Sequence, residues 1–143
     1  VTTDQNIAFL LADADDPTRA GIDLQAESGL ECATGNTMIL RVCPGNHECQ
    51  MGLAATRDMA VKVMQAMAPA ARQMQWAISG CPNSCTQPQL ADVGIMAARV
   101  KTETNGAKSP CFDLFLRRTS SLGEKVADAL TFEELLAAVG RIS

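Results

Sequence analysis

Apolar and polar positions alternate between two rhythms along this chain. Thr37-Met-Ile-Leu-Arg-Val42 and Met74-Gln-Trp-Ala-Ile-Ser79 are short, mostly apolar runs and read as two strands. Between them, residues 50–67 carry Met59, Ala60, Val63, Met64 and Met67 at helical spacing, which predicts a helix with one apolar face that Pro69 brings to an end. Its methionine stripe is read as core packing, because the flexible thioether fills irregular gaps. Asp92-Val-Gly-Ile-Met-Ala-Ala-Arg-Val100 gives a third strand, and the alternating Cys111-Phe-Asp-Leu-Phe-Leu116 a fourth. The polar stretch between these two contains Asn105-Gly106, a good turn dipeptide. Thr131-Phe-Glu-Glu134 is a capping box, opening a last helix whose Phe132, Leu135, Leu136 and Val139 share one face.

Residues 1–36 give less. Ile7-Ala-Phe-Leu-Leu11 is a short apolar run, followed by the acidic, turn-like Asp13-Ala-Asp-Asp-Pro17. The latter reads as a solvated loop, since neither the glycine nor the distal glutamate of a calcium loop follows in register. Gly21, Gly29 and Gly35 keep the region loop-rich. There is no internal repeat, low-complexity segment or linker. The pattern predicts an α+β fold: one domain over residues 1–143, a mixed sheet of about five strands, and helices packed on it.

The chemistry sits where the first two strands end. Each runs straight into a cysteine pair: Cys43-Pro-Gly-Asn-His-Glu-Cys49 and Cys81-Pro-Asn-Ser-Cys85. If the intervening helix is a crossover, the two strands finish side by side and both pairs meet at one edge of the sheet. Thiolates gathered at one point bind a metal centre. Structural zinc sites space their ligands C-x2-4-C, so the five-residue gap of the first pair suits zinc poorly, whereas iron–sulfur clusters tolerate wider spacing. Pro44 and Pro82 shape the loops without adding an N–H donor, and Gly45 and Gly80 permit tight turns beside the ligands. Cys32 and Cys111 fall outside the pairs and read as small buried hydrophobes.

Composition narrows the setting. At 143 residues, 47% hydrophobic and 20% charged, the chain can bury a real core, and with 3% aromatics that core must be aliphatic. A net charge of −4 argues against a nucleic-acid surface. No run approaches a membrane span, and no signal-peptide pattern opens the chain. Six cysteines without such a signal fit a reducing compartment, so a cytoplasmic location is expected, with thiolates on metal rather than in disulfides. The first residue is Val, so a piece of something longer is expected.

Ser79-Gly-Cys-Pro-Asn-Ser-Cys-Thr-Gln-Pro-Gln-Leu-Ala-Asp-Val-Gly94 resembles the cluster-binding signature of sirohaem-dependent nitrite and sulfite reductases. The first pair, ending at Cys49 and separated from Cys81 by 31 residues, matches that family's first cysteine pair. Thr2-Thr-Asp-Gln-Asn6 is similar to the T-x-x-Q-N segment that begins the family's second half. The likeness runs, more loosely, to the last helix, and covers about the C-terminal half of a full member.

The resemblance implies a 4Fe–4S cluster on Cys43, Cys49, Cys81 and Cys85, with Cys85 also bridging to the sirohaem iron. It implies a contact from Asn83 or its neighbouring amides to sirohaem, and six-electron reduction of nitrite to ammonia or of sulfite to sulfide. Implied partners are a missing N-terminal half or partner chain and an electron donor such as ferredoxin or a flavoprotein. Ser84-Cys-Thr-Gln-Pro-Gln89 leans towards nitrite reductases. Where the family often has Gly-Gly, this chain has Arg117-Arg118, which either pair with sirohaem carboxylates or a partner or form an ordinary solvated strand end. His47, the one histidine, reads as a loop residue hydrogen-bonding near the cluster in preference to an axial ligand or proton donor. The residues that grip the substrate anion lie upstream in the family, and Arg41, Arg57 and Arg72 match none of them. Three alternatives stay open: a cluster-only electron-transfer module, the half of a related corrin-ring synthase, and a zinc-bound or metal-free scaffold.

Overall fold

The computed structural model describes Glu27 and residues 38–104, 106–118 and 121–142. The chain divides into two compact units after Thr37, and the account below concerns the second, Met38–Ser143. The readings made for Thr2–Asn6, Ile7–Leu11, Asp13–Pro17 and Cys32 lie outside the described residues.

Five strands form one mixed sheet in the order β1-β2-β3-β4-β5: Ile39–Val42, Gln75–Ser79, Val93–Thr102, Lys108–Leu116 and Glu124–Leu130. The first three run parallel, and β4 and β5 turn back antiparallel. The crossover from β1 to β2 is helical, as parallel strands require a long connection. That helix, α1, is Thr56–Ala66, shorter than the predicted 50–67. Residues 50–55 are drawn into loop bonding instead: the Leu53 N–H donates to the Gly80 carbonyl at 2.7 Å, and the Ala54 carbonyl accepts from Asn46 at 3.0 Å. The last helix, α2 (Phe132–Val139), begins with the expected capping box, Thr131 and Glu134 each bonding the other's backbone N–H.

The sheet buries its two faces differently. On one, Met59 and Val63 of α1, Met67 just past its end, and Leu135 and Val139 of α2 pack on Trp76, Ile78, Val93, Ile95, Phe112 and Leu114. The indole N–H of Trp76, which must find a partner once buried, donates to the Ala71 carbonyl at 2.8 Å. No α-helix connects β2 to β3, only a single 3-10 turn at Pro88–Leu90. Residues 80–92 fold back over the opposite face, where Gly94 of β3 points by strand alternation. A methyl group at Gly94 would stand 2.1 Å from the Pro88 carbonyl oxygen. The segment that follows the C-x3-C loop is therefore part of the packing of the sheet.

Strand β5 has no counterpart in the sequence reading. Glu124-Lys-Val-Ala-Asp-Ala-Leu130 is too polar to alternate cleanly, and its pairing with β4 is broken by two register shifts. A buried carboxylate holds this edge: Asp113 accepts from the Ala129 N–H at 3.1 Å and meets Lys125 Nζ at 2.6 Å. Ala129 adopts φ +54°, which a β-bulge accommodates.

Candidate functional site

Both cysteine loops leave the same end of the sheet, from neighbouring strands. Pairing of β1 with β2 continues one residue past the strand, the Cys43 N–H donating to the Ile78 carbonyl at 3.1 Å. The Cys43 Sγ in turn accepts from the Gly80 N–H at 3.0 Å, so the first sulfur rests on the backbone leading into Cys81. The Leu53–Gly80 bond ties the exit of the first loop to the entrance of the second.

The first loop is tight. Gly45 sits at φ +59°, and a Cβ there would lie 2.3 Å from the Ala54 carbonyl oxygen and 2.4 Å from Thr56 Oγ1. Glycine is required on both counts. The loop closes through Cys49 N–H to the Gly45 carbonyl and Gly52 N–H to the Cys49 carbonyl, both 3.0 Å. At its root the buried Thr56 hydroxyl donates to the Cys43 carbonyl. The two side chains before Cys49 turn toward α1: His47 Nε2 is 3.6 Å from Asp58, and Glu48 meets Arg57 at 2.7 Å. His47 is thus engaged by the helix as a loop residue.

The second loop is strained. Ser84 and Gln87 both take φ +54°, a region that non-glycine residues enter rarely and that clusters at functional sites. The Ser84 hydroxyl lies 3.2 Å from both the Pro82 carbonyl and the Met96 sulfur. Asn83 is exposed beside it. At the neck, Ser79 Oγ and Thr86 Oγ1 are 2.7 Å apart, and the Thr86 N–H donates to Ser79 Oγ at 3.3 Å.

The four loop thiols differ in exposure. Cys43 and Cys81 are buried, Cys49 is half-buried and Cys85 is exposed; Cys111 is buried within β4. Among the described residues no three His, Cys, Asp or Glu side chains converge tightly enough to hold a single metal ion. Four thiols on two loops joined by backbone hydrogen bonds are a donor set that would suit an iron–sulfur cluster, in which each thiolate binds a different iron.

Arg117 has a different setting. Strand β4 ends where β2 and β3 begin, so Arg117 and Arg118 lie at the end of the sheet opposite the cysteine loops. Arg117 Nη2 bonds Asp92 Oδ1 at 2.9 Å, while Asp92 Oδ2 accepts from the Gln75 N–H at 2.8 Å. Burial alone would raise the Asp92 carboxyl, but the Gln75 amide and the Arg117 guanidinium outweigh it and hold its pKa below the ordinary value. Arg117 thus serves the closure of the sheet. The hydroxyl pair Ser79–Thr86, Gly94 and the Asp92–Arg117 bond were not read from the sequence. The one available signal was a polar residue on each side of C-x3-C.

No family model matches the chain. Among characterised proteins it is 33% identical over 102 residues to the ferredoxin–nitrite reductase of Synechococcus elongatus, covering 65% of this chain and 19% of that protein. It is 31% identical over 110 residues to the chloroplastic ferredoxin–nitrite reductase of Spinacia oleracea, covering 72% and 18%. It is also 39% identical over 59 residues to the coenzyme F420-dependent sulfite reductase of Methanocaldococcus jannaschii, covering 40% and 10%. The chain thus spans about a fifth of the length of the first two relatives. In three dimensions it is similar to the NirA protein of Mycobacterium tuberculosis, with a TM-score of 0.63 at 23% identity over 90% of this chain and 26% of that one. That likeness supports the α+β mixed-sheet fold.

Proposed function

We propose, from the premise that this chain belongs to the nitrite/sulfite reductase family of oxidoreductases, that it is the segment carrying that enzyme's electron-relay centre. In this reading residues 1–143 form a cluster- and sirohaem-binding domain within a longer reductase. Cys43, Cys49, Cys81 and Cys85 hold a 4Fe–4S cluster. When bound, the cluster and sirohaem supply one-electron transfers toward reduction of nitrite or sulfite. Nitrite is favoured, because two of the relatives named above are nitrite reductases and share the longest aligned stretches.

The observation that carries the reading is the junction of the two loops: neighbouring parallel strands deliver them, and the Gly80 N–H reaches Cys43 Sγ at 3.0 Å. A backbone donor on a ligating sulfur stabilises its thiolate and shifts the centre's potential. The buried Cys43 and Cys81 keep one side of the site from water. Cys85 is the exposed thiol of the four, and so the one that sirohaem could reach. Asn83, exposed two residues earlier, is placed to offer its amide to that haem. No helix among the described residues is long and apolar enough to cross a membrane. A reducing, cytoplasmic setting and a donor such as ferredoxin or a flavoprotein complete the proposal.

The test is anaerobic reconstitution, followed by an absorption spectrum and iron, sulfide and zinc analysis. Four irons and four sulfides per chain are expected. Added sirohaem is expected to perturb the cluster spectrum of the reconstituted parent chain. A colourless chain, or one that takes up zinc alone, would sink the cluster assignment.

A further inference from the structure

The second cysteine loop is closed by side chains. Its six residues, 80–85, run from Ser79 to Thr86. Ser79 is 1% exposed and Thr86 4%, so both hydroxyls are removed from water and must be satisfied inside the protein. They satisfy each other across the neck at 2.7 Å, and Ser79 Oγ also takes the Thr86 N–H at 3.3 Å. Within the loop, Ser84 is held at a positive φ by contacts to Pro82 and Met96. Strain of this kind persists only where the surroundings over-determine it. Each side of Cys81–Cys85 is therefore anchored: one side by β2 through Ser79, the other through Thr86 to that same serine.

We propose that Ser79 and Thr86 are positioning residues, a hydroxyl clasp that presets the separation and burial of Cys81 and Cys85 before any metal arrives. Their role toward the cluster rests on the reading given above. The clasp itself does not, since it is made by protein atoms alone. It holds Cys81 at 7% exposure while Cys85, beside Thr86, stays open. Releasing it lets the strained turn relax and uncovers Cys81. Thr86→Val keeps the branched volume and removes the hydroxyl; Thr86→Ser restores it.

The experiment has two arms on the full chain. In the first, metal-free protein is treated with a thiol-alkylating reagent and Cys81 and Cys111 are followed by peptide mass analysis. Cys111, buried in β4, reports opening of the whole sheet. Thr86→Val is expected to raise the Cys81 rate about fivefold, the factor one buried hydrogen bond corresponds to, with Cys111 unchanged and Thr86→Ser close to the parent. An unchanged Cys81 rate, or Cys111 rising in step with it, overturns the clasp. In the second arm the same proteins are reconstituted, and their midpoint potential and cluster loss to a chelator are measured. Thr86→Val is expected to lose its cluster about fivefold faster and at a shifted potential, with Thr86→Ser again restoring both. A Thr86→Val cluster identical to the parent's overturns the positioning role. If the parent itself takes up no cluster, the functional reading fails, while the first arm still decides the clasp.

Discussion

Gly94→Ala sets intrinsic preference against packing. Glycine inside a strand is unfavourable by roughly 0.5–1 kcal/mol relative to alanine, so propensity alone predicts a more stable protein. The structure predicts the reverse. The new methyl carbon would stand 2.1 Å from the Pro88 carbonyl oxygen, 2.6 Å from its carbon and 2.8 Å from Pro88 Cβ. Non-bonded heavy atoms settle near about 3.5 Å, so the Pro88 segment must retreat by more than about 1 Å. It is not free to do so: Leu90 N–H bonds the Gln87 carbonyl at 2.9 Å, and Gly123 N–H bonds the Gln89 carbonyl at 2.7 Å. Overpacking of this kind costs about 1–3 kcal/mol, and a broken backbone bond adds about 1 more. Less the propensity gain, the net loss is about 1–3.5 kcal/mol, a large share of the 5–15 kcal/mol typical of a domain. Urea unfolding followed by tryptophan fluorescence is a direct assay, since Trp76 is fully buried. The midpoint should fall by about 1 M or more at an unchanged slope. Gly106→Ala is the comparison: nothing lies within 4 Å, so only its positive φ is at stake, at about 1–2 kcal/mol. A Gly94→Ala protein as stable as its parent would refute the packing of the return segment on the sheet.

Three further outcomes are expected. Asp92→Asn should remove an acid-sensitive part of the stability. The folded carboxyl titrates below its unfolded value near 3.8, so its contribution is whole above that pH and lost as the pH falls through the folded pKa; thermal melts of parent and variant should differ at neutral pH and converge in acid. Lys125→Met should destabilise more than Asp113→Asn, as measured by chemical denaturation. The first strands a carboxylate that is 4% exposed, at about 1–3 kcal/mol, while the second leaves a lysine 47% exposed and able to turn to water. Cys43→Ser, Cys49→Ser, Cys81→Ser and Cys85→Ser should each cut iron and sulfide uptake at least several-fold on reconstitution, whereas Cys111→Ser should leave both unchanged.

The parts of the fold most legible in the sequence were those whose burial is one-sided or complete. Trp76–Ile78 and Ile95–Ala97 are apolar because helices or the return loop cover them, and α1 and α2 repeat at helical spacing because one face of each is buried. Strand β5 was illegible for the opposite reason: Glu124, Lys125, Val126 and Asp128 are exposed, and two bulges break the period that would have betrayed it. The start of α1 was misplaced because residues 50–55 have helix-compatible side chains, while their backbone bonds go to Asn46 and Gly80, which lie far away in sequence or in another loop. The cysteine loops could be named from spacing alone. The hydroxyl clasp could not, because Ser79 and Thr86 are ordinary residues until the chain turns back and brings them together.

Strand pairing also fixes when this site can come into existence during synthesis. Cys43 leaves the ribosome first, and Cys81 follows thirty-eight positions later, a delay of about 2–8 s at usual elongation speeds. Through that interval the nascent chain exposes the first loop without β2 beside it, and without the Gly80 amide that later caps the Cys43 sulfur. The complete set of thiols appears only once residues through 85 have emerged and β1 has docked on β2. On the proposed cluster assignment, metal delivery has to wait for that closure, and the vulnerable species is a half-made polypeptide in which Cys43 and Cys49 stand open to oxidants.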